Sequence, residues 1–241
     1  MPHSQRLKKF LSVRGINLFD TLTIWAALGI YFSTGFLLKL LPFPSLRQKL
    51  QNRRWSYFYP RSQRRMVYCG YLRQWIDLGS LLHTEEIGDF PSEWIYFEPG
   101  EVGFQIGANR GEYTFLASKY IGPEGLCIAL EPNPIPYLDL LGLAYLNKAS
   151  NVIVLPMACG NKEGIAHFSA PLNGLEKYGD GIFRLRDQES LYQEEKSAFK
   201  AVILPLDKLV EGLGLKRVDF LIVDVEGAEL AVLEGAKKTL Q

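Results

Sequence analysis

A glycine-spaced loop, read as FQIGANRGEY over residues 104–113, is the first stretch of the chain whose residue types could bind a nucleotide-like ligand. Gly107, Asn109 and Gly111 stand two residues apart each time. A dinucleotide-binding loop needs the spacing G-x-G-x-x-G, so that its backbone can approach a pyrophosphate. Counted from Gly107, the later glycine positions hold Asn109 and Glu112, and an acid at a helix start repels a pyrophosphate. The loop therefore argues against a dinucleotide and against a nicotinamide-dependent oxidoreductase.

Acidic residues follow two strongly apolar runs. Glu131 ends the run LCIAL about two dozen residues after the loop, where nucleotide folds carry the acid that binds ribose hydroxyls. Asp224 and Glu226 lie at the end of the run VDFLIVDV, and two acids at a strand end are costly unless they are used or paired. Structural roles stay open for all three. Glu131 could cap a helix before Asn133, Glu226 could cap the next helix, and Asp224 could bond a nearby loop.

The segments around these residues alternate between strand-like and helix-like patterns. Apolar runs occur at 102–106, 126–130, 151–156, 164–170, 201–207 and 218–225, and helical patterns at 111–121, 134–147 and 229–240. Such alternation predicts a parallel sheet covered on both faces, with ligands bound beyond the carboxyl ends of the strands. We expect the strand at 164–170 to pair beside the one at 151–156. The polar stretch 171–200 is expected to be a long loop or insertion.

Four blocks of the chain resemble successive blocks of the FkbM-type methyltransferases. They read GANRGEYTFLASKYIGPEG, ALEPNP, LPLDKL and VDFLIVDVEGAELAVLEGA, and the resemblance covers residues 98–240. It implies an α/β fold with a Rossmann-like class I methyltransferase sheet flanked by helices. It also implies S-adenosylmethionine as the methyl donor and O-methylation of a hydroxyl on a sugar or secondary metabolite.

The resemblance further implies which residues hold the cofactor. Gly107, Ala108, Asn109 and Gly111 would shape the loop around the methionine moiety, and Glu131 would hold the ribose.

The remaining site residues follow from the same resemblance. Asn133 would border the adenine, and Ala158, after the third strand, is a weaker candidate for the adenine pocket. Asp224 and Glu226 would face the methyl group and the acceptor, where either carboxylate could accept the hydroxyl proton. No third ligand beside these carboxylates is evident, so no metal is predicted.

Two positions differ from the family pattern. The family has an acid where Gln105 stands, and glutamine keeps a hydrogen bond to the positively charged cofactor but not the charge. Ile222 stands where the family has a lysine two residues before the first acid. Both differences favour an alternative, a catalytically degenerate methyltransferase-like binding or scaffold protein at the membrane. The family fold continues through further strands, so we expect the sheet to be incomplete at Gln241.

An uncharged apolar run begins at Thr21 and ends at Leu38. Its length of about 18 residues is at the lower limit for a bilayer span. Its hydroxyl residues fall on different sides of a helical wheel, which argues against an in-plane amphipathic helix. Basic residues are more numerous after the run than before it, and this bias keeps the main domain cytoplasmic. We therefore predict a transmembrane helix, with a hydrophobic helix buried against the globular domain as the open alternative.

The composition sets the remaining limits. The chain of 241 residues has a net charge of +1, which gives no indication of a nucleic-acid partner. Its three cysteines form no CxxC pair, so neither a disulfide framework nor a zinc site is predicted. We expect a basic and hydrophobic segment with linker at 1–66, a lead-in or cap with a helix-like stretch at 67–97, and the methyltransferase domain at 98–241. The expected partners are a small-molecule hydroxyl acceptor and, through the first segment, membrane lipid on the cytoplasmic face.

Overall fold

The computed structural model describes residues 11–62, 66–69, 74–78, 96–169, 184–185 and 199–241. Contacts divide the chain into two compact units, Met1–Trp94 and Ile95–Gln241, called unit one and unit two below. Most of the predicted lead-in at 67–97, and most of the predicted insertion at 171–200, lie outside the described residues.

Unit one combines a small antiparallel sheet with two helices. The sheet has the order β1–β2–β3, and its strands are Val13–Arg14, Met66–Cys69 and Gln74–Asp77. The helices are α1 (Leu18–Lys39) and α2 (Pro44–Ser62). The core of the unit is formed by apolar side chains of α1, of the sheet and of the residue after β3: Val13, Ile24, Leu28, Tyr31, Val67, Cys69, Ile76 and Leu78.

The strand β3 corrects the helix-like interpretation of the lead-in. Residues 74–77 pair with β2 instead, and Trp75 packs edge-to-face on Tyr68 across the two strands, with 5.8 Å between ring centroids. Cross-strand packing of aromatic side chains stabilises a sheet, and this tertiary contact outweighs the local helical pattern.

Unit two contains the predicted parallel sheet, in the order β11–β4–β5–β6. These strands are Phe220–Val223, Val102–Ile106, Leu126–Leu130 and Val152–Leu155. Helices α3 (Glu112–Ile121), α4 (Pro134–Leu146), α5 (Leu206–Gly212) and α6 (Glu229–Glu234) connect or follow them. Phe104 and Ile128 face the core shared with α5 and α6, whereas Cys127 faces Ala117 and Ile121 of α3 on the other side. The sheet is therefore covered by helices on both faces, as predicted.

A second sheet, with the order β7–β10–β8–β9, was not predicted. Its strands are Met157–Cys159, Phe199–Leu204, Gly164–Ser169 and Arg184–Leu185. The strand predicted at 164–170 therefore pairs antiparallel with β10 and not with β6, which corrects our expectation. The reason lies at Pro156, the one residue between β6 and β7. Proline lacks the N–H needed to continue a ladder, and after it the chain passes from the first sheet to the second.

Candidate active site

The glycine-spaced loop follows β4, and its spacing is explained by its backbone. Gly107, Asn109 and Gly111 all have positive φ angles, of 81°, 46° and 83°. Glycine adopts this region without penalty and asparagine tolerates it better than most residues, so the loop needs these types at alternate positions. A Cβ on Gly107 would also collide with the backbone oxygen of Asp224. The loop thus lies directly against the end of β11.

Glu131 joins this loop to the start of α4. Its Oε2 accepts a hydrogen bond of 2.7 Å from the Asn109 N–H, and its Oε1 accepts one of 2.8 Å from the Asn133 N–H. The residue is 7% exposed. Burial raises the pKa of Glu131 to about 7, against the opposing effects of the two backbone hydrogen bonds and of the Arg110 charge. Asn133 itself caps α4 by accepting from the Ile135 N–H at 3.1 Å.

A buried ion pair supports the loop from behind. Arg110 Nε lies 3.1 Å from Asp139 Oδ2 of α4, and the two side chains are 3% and 9% exposed. Removing one partner of such a pair leaves a buried charge uncompensated, which is strongly destabilising. Sequence reasoning missed this pair, because no local pattern relates a loop arginine to an aspartate one helix further along the chain.

The segment after β11 carries the two candidate catalytic carboxylates. Its backbone is attached to β4 by a hydrogen bond of 2.9 Å from the Asp224 N–H to the Ile106 oxygen. Glu226 has a φ of 52°, a left-handed conformation that costs a non-glycine residue energy and is typical of functional sites. The Glu229 Oε1 accepts from the Val225 N–H at 3.3 Å and the Gly227 N–H at 3.1 Å. These two bonds hold the turn on both sides of Glu226. The backbone N–H of Glu229 itself, and then those of Gly227 and Val225, lower the pKa of the Glu229 carboxyl.

Tyr113, at the start of α3, is a further residue near Asp224. Burial, and then the negative charges of Glu112 and Asp224, raise the pKa of its hydroxyl. Tyr113 therefore keeps its proton at neutral pH within electrostatic range of Asp224.

A pocket at the carboxyl ends of the strands brings six of the ten predicted site residues together. The predicted residues among its lining are Gly107, Asn109, Glu131, Asn133, Asp224 and Glu226, and the others are Pro132, Phe168, Phe199 and Val225. The remaining four predicted residues, Gln105, Ala108, Gly111 and Ala158, do not line it. Ala158 is buried in the second sheet beside Phe168.

Gln105 lies beneath the loop. It is 2% exposed, and its Oε1 accepts a hydrogen bond from the Thr114 hydroxyl of α3. The parallel pairing of β4 and β11 places Gln105 in register with Ile222. The two positions that differ from the family pattern are therefore neighbours in the sheet.

Phe168 and Phe199 form a wall of the pocket that sequence reasoning missed. They pair across β8 and β10, and their rings stack with centroids 4.8 Å apart and an interplanar angle of 7°. The signal in the sequence was that both phenylalanines stand in largely apolar runs, GIAHFS at 164–169 and FKAVIL at 199–204. Within the described residues, no group of three or more His, Cys, Asp or Glu side chains could hold a metal ion.

Three of the solved structures that are similar to this chain have TM-scores below 0.5, so the family assignment does not rest on them. Methyltransferase FkbM from Methylobacillus flagellatus KT is 15% identical with a TM-score of 0.42, and the alignment covers 91% of this chain and 46% of that one. Fibrillarin from Aeropyrum pernix, in complex with natively bound S-adenosyl-L-methionine, is 23% identical over 25% of this chain and 26% of that one, with a TM-score of 0.24. A SAM-dependent methyltransferase from Aquifex aeolicus is 22% identical over 36% of this chain and 40% of that one, with a TM-score of 0.26.

This chain thus spans less than half the length of the Methylobacillus protein. Comparison with curated proteins gives no match. The model of the methyltransferase FkbM domain matches residues 105–241, which is more than half of the chain and includes Gly107, Asn109 and Gly111, Glu131 and both candidate catalytic carboxylates. The chain belongs to the FkbM methyltransferase domain family.

Proposed function

We propose that unit two is an S-adenosylmethionine-dependent O-methyltransferase that methylates a hydroxyl of a sugar or secondary metabolite. One observation carries this proposal. A single pocket joins Glu131, at the end of β5, to Asp224 and Glu226 at the end of β11. An acid suited to a ribose and two acids suited to an acceptor hydroxyl thus face the same space.

The residues present fit the cofactor of the family. Each carboxylate oxygen of Glu131 accepts one backbone N–H and has a second lone pair, so the pair of oxygens can also accept two ribose hydroxyls. Gly107 has no side chain on the pocket wall. S-adenosylmethionine supplies a methyl group on a sulfonium, and the departing thioether needs no proton.

The chain's own residues then have two tasks. The first is to hold the acceptor oxygen in line with the methyl group, and good placement of this kind is worth about 7–11 kcal/mol. The second is to take up the hydroxyl proton. Asp224 and Glu226 are exposed on the pocket wall, and a positioned carboxylate base contributes roughly 10²–10⁴-fold. The stacked apolar rings of Phe168 and Phe199 also line this pocket and exclude water from their part of its wall.

Calorimetry with S-adenosylmethionine, S-adenosylhomocysteine and NAD tests the ligand class. We expect the first two to bind and NAD not to bind. If none binds even at millimolar concentration, the enzyme proposal fails. Transfer of a labelled methyl group to a panel of sugars and phenolic metabolites then tests the reaction, with Asp224→Asn and Glu226→Gln as inactive controls that still bind S-adenosylhomocysteine.

A second candidate, a degenerate relative that binds but does not transfer, is favoured by the neutral residues Gln105 and Ile222. It predicts cofactor binding without transfer to any acceptor. It also predicts that Asp224→Asn leaves every measured property of the protein unchanged.

We also propose that the chain works at the cytoplasmic face of a membrane. Helix α1 is long and apolar enough to cross a bilayer, by length and composition alone, and only 17% of its most apolar window is buried. The excess of basic residues after the helix supports the cytoplasmic orientation.

A further inference from the structure

Helix α1 has two apolar sides, and only one of them is packed. Ile24, Leu28 and Tyr31 face the sheet of unit one and are buried. The opposite side, called the outer face below, carries no charged side chain along the whole helix. Six of its large apolar residues are between 53% and 78% exposed: Leu18, Phe19, Leu22, Ile30, Phe36 and Leu37. Several large apolar side chains exposed together on one face are rare on soluble monomers and mark interaction sites, so the outer face indicates an interaction surface.

The polar groups of α1 are bonded within the protein. The hydroxyls of Thr21, Thr23, Ser33 and Thr34 each donate to a backbone oxygen one turn earlier, at 2.6–2.8 Å. The Trp25 indole donates to the Val13 oxygen at 2.7 Å. A surface in contact with hydrocarbon must satisfy its polar groups internally, because lipid offers no partner. These hydroxyls therefore do not prevent lipid contact. Their scattered positions on a helical wheel led to the expectation that α1 is not an in-plane amphipathic helix, and the internal bonding of the hydroxyls removes that objection.

Basic residues follow α1 closely in the chain. Helix α2 follows after a short turn, and Lys49 and Arg53 are exposed on it. Its sequence from Pro44 to Ser62 contains no acidic residue. Arg47 connects the turn to the helix, since its Nη2 donates to the Leu41 oxygen at 2.6 Å. Positive charge beside an apolar face is complementary to the anionic headgroups of a cytoplasmic leaflet. A second copy of the chain would bring equal charges together.

We propose that α1 lies in the plane of an anionic membrane, with its outer face in the boundary between headgroups and acyl chains. The inner face holds the sheet of unit one, whose outer strands β1 and β3 carry backbone groups that cannot enter hydrocarbon. A span would have to strip the helix from this sheet and expose Ile24, Leu28 and Tyr31 of its core. The inference rests on the proposed membrane location and deepens it. It is independent of methyl transfer.

Flotation of the full chain with vesicles tests the surface. We expect binding to vesicles of phosphatidylcholine mixed with phosphatidylserine, and on the order of a hundredfold weaker binding to phosphatidylcholine alone. Leu37→Glu should weaken binding roughly tenfold or more, because it replaces an inserted apolar side chain. Leu138→Glu in unit two is the matched control and should bind normally, since Leu37 and Leu138 are 61% and 60% exposed. Equal effects of the two variants overturn the assignment of the outer face.

Labelling of single engineered cysteines separates the in-plane helix from a span. Arg14→Cys and Ser45→Cys introduce exposed thiols on either side of α1, and the three native cysteines are buried. A membrane-impermeant maleimide added outside preformed vesicles should label both thiols of an in-plane helix. Protection of one thiol until detergent is added overturns the in-plane arrangement and leaves the membrane location standing. Absence of flotation with either lipid overturns both, and a stable dimer by light scattering would then assign the outer face to a second copy.

Discussion

Gln105 and Ile222 lie side by side on one face of the parallel sheet. Their strands pair in register, and their neighbours Phe104 and Leu221 belong to the core on the other face. The acid and the lysine that the FkbM pattern has at these positions are thus both replaced by neutral residues. We predict that restoring the acid alone, by Gln105→Asp, destabilises the protein, and that Ile222→Lys recovers much of the loss.

The magnitude follows from the burial of Gln105, which is 2% exposed. An aspartic acid there can remain protonated at a cost of about 1.4 kcal/mol for each pH unit above its ordinary pKa near 3.9. That is at most about 5–6 kcal/mol at pH 8 and about 1.5 kcal/mol at pH 5. Because burial raises the folded-state pKa, the free energy of unfolding of this variant falls as the pH rises above about 4. A paired lysine lowers that pKa again and should return about 0.5–3 kcal/mol.

Urea unfolding of the parent, both single variants and the double variant, at pH 5 and at pH 8, measures this coupling. The free energy of unfolding of the single Gln105→Asp variant should fall from pH 5 to pH 8, and that of the double variant should fall much less. A Gln105→Asp protein as stable as the parent at pH 8 would refute the reasoning, as would a lysine without effect. Cofactor affinity is then compared between the parent and the double variant. A higher cofactor affinity in the double variant would support the expectation that an acid at position 105 attracts the positively charged cofactor.

Three further predictions concern the pocket. Burial raises the pKa of Glu131 to about 7, so its carboxyl ionises as the pH rises through 7, and S-adenosylhomocysteine should then bind more tightly in calorimetry. The Glu131→Gln variant should bind this ligand about 10–100-fold more weakly and without that pH dependence. Gly107→Ala should lower the free energy of unfolding by more than Gly100→Ala. Both glycines have φ near 80°, but only a Cβ at position 107 would collide with the Asp224 backbone. Equal losses of stability would show that this collision does not occur. Glu226→Gly should raise the free energy of unfolding in urea by about 0.5–1 kcal/mol while it abolishes transfer, and a loss of stability would show that Glu226 is not strained.

Local sequence was sufficient for the parts of the site that lie at strand ends. Gly107, Glu131 and Asp224 each follow an apolar run, and a parallel sheet brings the carboxyl ends of its strands to one edge. Their meeting could therefore be predicted without knowing any long-range contact. The same rule placed Gln105 near the site, but the direction of its side chain depends on the alternation along β4 and on Thr114 of α3.

The residues that were missed depend on pairing between distant segments. Phe168 and Phe199 meet only because β8 pairs with β10 across about thirty residues, and the register of such a pair is not encoded in either strand alone. Glu229 was read as part of a family block. Its contact with the turn around Glu226 became visible only from the backbone hydrogen bonds.

Gly107 lies against the Asp224 backbone, so a glycine at this position in a relative of this protein is not by itself evidence of activity. A side chain at position 107 is excluded by the neighbouring strand whether or not a cofactor binds. A relative that has lost catalysis would still have to keep this glycine in order to fold. Glu226 is different, because its left-handed backbone conformation costs a non-glycine residue stability. The residue to inspect when active and inactive members are to be told apart is therefore the strained glutamate, and not the glycine that first draws attention.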